Sequence, residues 1–255
     1  MPFDIDRILR ETFLAQMEHC PSVGSTNDRA AELAKAQDAS LPLLVSADHQ
    51  TAGRGRGSNR WWTGPGALVF SMAVDPAMVG ADHGPAPMVS LAVGVAVVEA
   101  IVPMLPEQQI GLHWPNDVMV AGRKVAGILV EVLPQRQHVI GIGLNTNNTM
   151  ADAPAELQER AATFRDLTGG TFDETEVLTA MLTRLEIAFA TLRADPRCIA
   201  ARANQLCLQH GRKLTIERGD AIVTGECCGI NEDGALLLET PSGVEAFYSG
   251  VLRKP

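Results

Sequence analysis

From Leu41 to Val74 the chain reads LPLLVSADHQ TAGRGRGSNRWW TGPGALVFSMAV, two β-rich runs around a core of glycine, arginine and tryptophan. Leu41–Gln50 reads as a strand entering the core segment, and Ala67–Val74 as a strand leaving it. Gly53, Gly55 and Gly57 permit positive φ angles and let backbone N–H groups approach a ligand closely. Arg54 and Arg56 alternate with them and carry planar guanidinium groups suited to carboxylate and phosphate. Two readings stay open for the segment alone: a loop that captures an anion, and an ordinary exposed hairpin. The glycines also imply a loop that stays mobile until an anion orders it. Other readings fail. The chain holds no GxxxxGK followed by Ser or Thr, as a Walker loop requires. Asn59-Arg60-Trp61-Trp62 is a poor helix start, against a dinucleotide-binding turn. RNA-binding Arg-Gly segments sit in basic disordered tails, whereas this one is flanked by strands.

The surrounding protein is acidic, with a formal net charge of −9 over 255 residues, which argues against broad binding to nucleic acid. With 46% hydrophobic and 20% charged residues, the composition is globular and long enough for one sizeable domain plus a small one. Cys20, Cys198, Cys207, Cys227 and Cys228 are odd in number and form no CxxC pair, a pattern of a reducing compartment. MPFDIDRILRE lacks the apolar core of a signal peptide, so the expected location is the cytoplasm. The apolar run Met88–Leu105 contains Glu99 and Pro103 and reads as a buried helix rather than a membrane span.

Further along, Ser25 and Thr26 are N-cap candidates for a helix over NDRAAELAKAQ. IGLHWPNDVMV, GRKVAGILVEVL and HVIGIGLN read as three short strands, and Glu174–Leu192 as the helix that closes the larger domain. From Lys213 the texture becomes short strands parted by turns such as Asn231-Glu232-Asp233-Gly234, the pattern of a small β-barrel. Within these runs, Trp114-Pro115-Asn116-Asp117 presents an amide and a carboxylate at a turn fixed by proline. Lys124 opens an otherwise apolar strand, either as an anion contact or with its ammonium in water. Gly141-Ile142-Gly143-Leu144-Asn145 places glycines inside a strand, which weakens it unless something must come close.

In this order, these stretches resemble the biotin protein ligases over nearly the whole chain. The resemblance rests on Ser25-Thr26-Asn27, Gln50, Gly53-Arg54-Gly55-Arg56, Trp61 and Trp114-Pro115-Asn116-Asp117. It continues through Lys124 with Gly127-Ile128-Leu129-Val130-Glu131, then Gly143-Leu144-Asn145, and finally Gly234-Ala235-Leu236-Leu237-Leu238-Glu239. It implies an α+β fold: a catalytic domain like that of class II aminoacyl-tRNA synthetases over residues 1–208, then an SH3-like barrel over residues 209–255. The implied activity joins biotin to ATP as biotinyl-5′-AMP, then passes biotin to a lysine of a biotin carboxyl carrier protein of acetyl-CoA carboxylase or a related carboxylase. Lys124, Arg56 and Asp117 are the implied catalytic groups. Ser25, Thr26, Asn27, Gln50, Gly53, Arg54, Lys124 and Gly127 would bind biotin. Arg56, Trp61, Asn116, Lys124 and Asn145 would hold ATP or the adenylate. No metal site of the protein's own is implied, since Mg²⁺ would arrive with ATP near Asn116. Lipoate and octanoyl transferases share the catalytic fold, but GRGR with WPND and KVAGILVE favours biotin. The chain departs from the family at Gly57-Ser58-Asn59-Arg60, where Arg-Gly-Arg is usual, and at His113, where lysine is common. Only about twenty residues precede Ser22, too few for a helix-turn-helix domain, so a ligase without DNA binding or repressor function is expected, as monomer or homodimer.

Overall fold

The computed structural model describes residues 3–36, 38–80, 86–219 and 221–253. Along the chain run α1 (Ile5–Glu11), β1 (Gln16–Cys20), α2 (Thr26–Ala34), β2 (Leu43–Ala47), β3 (Leu68–Val74) and α3 (Ala86–Ile101). There follow β4 (Ile110–His113), β5 (Asp117–Val120), β6 (Arg123–Val132), β7 (His138–Leu144), α4 (Ala155–Gln158) and α5 (Phe164–Thr168). Then come α6 (Glu174–Ala194), α7 (Pro196–Gln205), β8 (Lys213–Arg218), β9 (Ala221–Ile230), β10 (Leu236–Thr240), β11 (Gly243–Phe247) and β12 (Val251–Arg253).

Strands β1 to β7 form one sheet in the order β1-β2-β3-β7-β6-β5-β4, parallel only between β1 and β2. Side chains alternate between its faces. Leu44, Phe70, Met72, Ile140, Ile142 and Ile128 join one core cluster with α3 and α6. On the opposite face Leu43, Val45, Ala73 and Val139 pack against Ala30 and Ala34 of α2. The same face continues through Ser71, Gly141, Gly143 and Gly127, residues too small to cover it. The apolar run expected as a buried helix is α3, with residues such as Ala92, Val93, Val97 and Val98 fully buried. Its Glu99 is paired with Arg202 at 2.9 Å and Arg184 at 3.9 Å.

Several elements differ from expectation. Ile110–Val120, read as one short strand, is divided by the turn expected at Pro115: β4 pairs antiparallel with β5, setting His113 opposite Asp117 across a turn at Trp114–Asn116. Pro115 has no N–H to donate into a ladder, so the run turns there. The larger domain does not close at α6, because α7 follows directly. Asp195 ends α6 and caps α7 through the N–H of Arg197, with Pro196 in the first turn. The short elements α1, β1 and β12 carry too few periodic residues to stand out in the sequence.

Strands β8 to β12 form a second, antiparallel sheet in the order β11-β10-β9-β8-β12. Its attachment to the first sheet centres on Trp114, which is 1% exposed. The Trp114 indole donates to the Gly234 carbonyl at 3.1 Å, at the turn leading into β10. Its backbone N–H donates to Gln209 Oε1 at 2.6 Å. Replacing Gln209 by leucine would leave that buried N–H without an acceptor, so the folded protein should lose about 1–3 kcal/mol. Urea unfolding of wild type and Gln209→Leu measures this, and equal midpoints would refute it.

Candidate active site

The cleft is built on two neighbouring rows of the first sheet, one through Ser71, Gly141 and Leu129 and the next through Gly143 and Gly127. Ala47, Val69, Gly143, Gly127, Asp117 and His113 stand side by side across β2, β3, β7, β6, β5 and β4. Ser25, Thr26, Asn27, Gln50, Arg54 and Trp61 rise around a floor made by Gly127–Leu129 and Gly141–Gly143. The interior glycines have a structural reason. A methyl group on Gly143 would overlap the Trp61 indole, and one on Gly141 would overlap the Asn27 amide. What must come close is therefore the protein's own side chains.

At one end, α2 points its N-terminus into the cleft. Ser25 is the N-cap by position, but its side chain makes no capping bond. Gln50 caps instead: its Oε1 accepts from the Thr26 N–H at 2.9 Å and lies 3.1 Å from Thr26 Oγ1. Its Nε2 donates to Thr63 Oγ1 at 3.3 Å. Ser71, fully buried on β3, lies 2.7 Å from Thr26 Oγ1 and 2.6 Å from Asn27 Oδ1. Asn27 Nδ2 donates to Glu131 at 2.6 Å. With these amides and hydroxyls oriented and the Thr26 N–H taken by Gln50, the Ser25 hydroxyl and the first-turn N–H groups of Asn27 and Asp28 are left for a polar ligand.

The glycine–arginine segment is folded as a hairpin. The Gly55 N–H donates to Asn59 O at 2.8 Å, and the Trp61 N–H to Gly53 O at 3.0 Å. Arg54 anchors it, with Nη2 2.8 Å from both Asp28 Oδ1 and Glu131 Oε2. Two carboxylates thus supply the negative charge that was expected only from a ligand. Arg60 stays exposed at the hairpin's stem.

At the other end lies a cluster of charge. Lys124 Nζ is 2.6 Å from Asp117 Oδ1 and 5.6 Å from the centre of the Trp61 ring. A β-bulge places it there. Pairing between β5 and β6 shifts so that Asp117 faces Gly127 while Met119 faces Lys124. Without the extra residue, strict alternation would turn Lys124 to the opposite face. Arg56 lies half-buried near Asp117; desolvation lowers its pKa and the Asp117 charge opposes that. His113 is held below the ordinary histidine value by burial first, with Asp117 opposing and Lys124 and Arg212 assisting.

Asn116 is partly committed to structure: its Nδ2 donates to Ile128 O at 2.9 Å, while the Ile128 N–H donates to Asn116 O at 2.9 Å. This leaves Asn116 Oδ1 as an acceptor. Asn145 continues the ladder beyond β7 through Val125 O at 2.8 Å, and its Oδ1 accepts from Asn148. It sits beside the row, outside the residues that line the floor. Among the described residues no cluster of three or more His, Cys, Asp or Glu is arranged to hold a metal ion. Sequence reasoning missed Ser71, Thr63, Arg212 and the part played by Glu131. Of these only Glu131 lay within a motif that carried the family resemblance, and period-two counting from Gly127 would have turned it to the cleft face.

Residues 20–147 match the Biotin/lipoate A/B protein ligase family, and residues 210–251 match the Biotin protein ligase C terminal domain. The chain is 33% identical to the biotin–[acetyl-CoA-carboxylase] ligase of Mycobacterium tuberculosis, covering 93% of this chain and 90% of that one. It is 32% identical to the bifunctional ligase/repressor BirA of Bacillus subtilis, over 89% of this chain and 70% of that one. A solved structure of biotin protein ligase from Aquifex aeolicus in complex with biotin and ATP superposes with a TM-score of 0.84 at 28% identity, covering 95% of this chain and 100% of that one.

The site's geometry can be tested in two ways. Gly143→Ala should force the Trp61 indole off the sheet, changing the near-ultraviolet circular dichroism and costing about 1–3 kcal/mol by overpacking; an unchanged spectrum would contradict the contact. The depressed pKa of His113 means that the unfolded chain takes up this proton first as pH falls. That contribution to stability is complete above about pH 6.5 and is lost as pH falls through the lower folded value. His113→Gln should therefore flatten the fall in Tm on acidification below about pH 6.5, and parallel Tm curves for both proteins would refute it.

Proposed function

This chain belongs to the biotin/lipoate A/B protein ligase family, and on that premise we propose how its cleft carries out the two half-reactions of a biotin protein ligase. The substrates are biotin and ATP. The observation that carries the assignment of roles is that two neighbouring rows of one sheet place a polar clasp at α2, over Ser71 and Gly141, beside a cluster of cations around Asp117, which is in line with Gly143 and Gly127. The clasp suits a small ring that both donates and accepts hydrogen bonds. The cations suit the two anions that must meet.

In the first step a carboxylate oxygen of biotin attacks the α-phosphorus of ATP, the bond to the bridging oxygen breaks, and pyrophosphate leaves. Ser25, Thr26, Asn27 and Gln50 orient the ureido ring, with Gly53 and Gly127 leaving room beside Trp61. Arg54 closes the hairpin over the carboxylate arm. Lys124 and Arg56 neutralise carboxylate and phosphate as they approach, each charge-assisted bond contributing roughly 1.5–3 kcal/mol. No nucleophilic side chain is required, because the attacking atom belongs to biotin. Trp61 packs toward adenine, Asn145 borders the nucleotide, and Asn116 Oδ1 is a suitable acceptor for the solvated Mg²⁺ that enters with ATP.

In the second step the amine of an acceptor lysine attacks the acyl carbon, and AMP leaves. A free lysine has a pKa of about 10.4, so it arrives protonated. Asp117 is engaged with Lys124 at 2.6 Å, so the acceptor ammonium exchanges with Lys124 at that carboxylate, is oriented there, and loses its proton to solvent. The acceptor we assign is the carrier domain of a biotin-dependent carboxylase, in the cytoplasm, where the five free cysteines would stay reduced.

Incubation with biotin, MgATP and a biotin carrier domain, followed by intact mass, should show one biotin added per carrier. Lipoate in place of biotin should add nothing. Lys124→Met should slow pyrophosphate release roughly ten- to a hundredfold, the loss of one charge-assisted contact in the transition state. Release at the wild-type rate would exclude Lys124 from neutralising the reacting anions.

A further inference from the structure

We propose that Glu131 is a positioning residue that couples the biotin clasp to closure of the arginine hairpin. The inference rests on the ligase reading of the cleft. A single oxygen, Glu131 Oε2, accepts from Asn27 Nδ2 at 2.6 Å and from Arg54 Nη2 at 2.8 Å. Asn27 belongs to α2 and Arg54 to the hairpin, so this atom ties both walls of the cleft to β6, whereas Asp28 joins the hairpin to α2 alone.

The Asn27 side is rigid. Its Oδ1 is taken by Ser71, and its amide lies against Gly141, where even a methyl group would not fit. The amide cannot turn without breaking both contacts. Glu131 therefore has one partner fixed on the sheet side and one carried on the hairpin. Asp28 also holds Arg54, at 2.8 Å, but it touches no other cleft side chain through a hydrogen bond or ion pair among the described residues. Asp28 holds the hairpin to α2; Glu131 holds the hairpin to β6 and also fixes the Asn27 amide of the clasp.

Exposure separates this role from a purely structural one. The side chains of Arg54 and Glu131 are 43% and 36% exposed. Ion pairs that open to water add little to global stability. Losing this one should be felt locally, in hairpin opening and biotin capture, with the fold intact.

The test uses the full chain and two variants. Glu131→Gln keeps an oxygen for the Asn27 amide and removes the charge that holds Arg54; Asp28→Asn removes only the second carboxylate. Limited trypsin digestion without substrate, read by mass spectrometry, reports cleavage after Arg54, Arg56 and Arg60. For Glu131→Gln, cleavage there and KM for biotin should each rise about fivefold, with kcat at saturating biotin within about twofold of wild type and Tm unchanged. Asp28→Asn should speed hairpin cleavage while KM for biotin stays within about twofold. Wild-type cleavage together with wild-type KM in Glu131→Gln would overturn the proposal. A lowered Tm with cleavage spread along the chain would overturn it too, by showing a general structural role. Hairpin cleavage needs no substrate: if it rises as expected while wild type forms no biotinyl-adenylate, the ligase reading falls and the hold of Glu131 on the hairpin stands.

Discussion

Two side chains, the Asn27 amide and the Trp61 indole, stand directly against sheet backbone because Gly141 and Gly143 present no Cβ to keep them away. Most of the cleft depends on that close approach. It lets α2 and the arginine hairpin sit low enough over β6 and β7 to enclose a small ligand. It also explains why an otherwise apolar strand carries residues that weaken strands, since close packing against those two side chains offsets the loss. The opposite face of the same strands, through Ile140, Ile142 and Leu144, is closed by large apolar groups against α3. One face of β7 is a core and the other is a floor.

An acidic protein gathers cations in this cleft by giving most of them a resting partner. Arg54 lies between Asp28 and Glu131, and Lys124 lies on Asp117. Such pairing fixes long side chains in advance, so less conformational freedom would be lost on binding an anion there. Arg56 differs. Among the described residues it makes no ion pair, and burial without a close partner lowers its pKa. A guanidinium desolvated in advance binds phosphate more strongly than one that must first shed water.

Much of this could be read from the sequence, because the informative residues are ones whose chemistry is local. Alternating glycine and arginine, proline before Asn116-Asp117, and glycine inside β7 each imply a backbone or charge requirement without knowledge of the fold. What escaped depends on distant pairing. The bulge that re-aims Lys124 exists only because β5 and β6 pair in one register. The cap on α2 comes from Gln50, twenty-four residues away, so a local search for capping residues found Ser25 and missed its replacement. Ser71 looks like any polar residue in a strand until register sets it beneath Thr26 and Asn27. The run Ile110–Val120 misled for the opposite reason: a short hairpin with apolar arms has the same composition as one strand, and only Pro115 marks the fold-back.

The hairpin of β4 and β5 also ties the chemistry to the second sheet. Its turn sends Trp114 away from the cleft into the junction, where the indole meets Gly234 and the backbone meets Gln209. Three residues on, Asp117 faces the cleft and holds Lys124. Beside β4, the segment Leu206–Leu208 adds its own bonds to Leu112, at 2.8 and 2.9 Å, and covers what would otherwise be a bare sheet edge. Asp117 is thus carried on a hairpin fixed from behind by the C-terminal region. A shift of the second sheet would be transmitted through a buried tryptophan with no slack, because close-packed groups move together or lose their contacts. The C-terminal sheet is coupled to the cleft mechanically, as the support against which the hairpin bearing Asp117 is held.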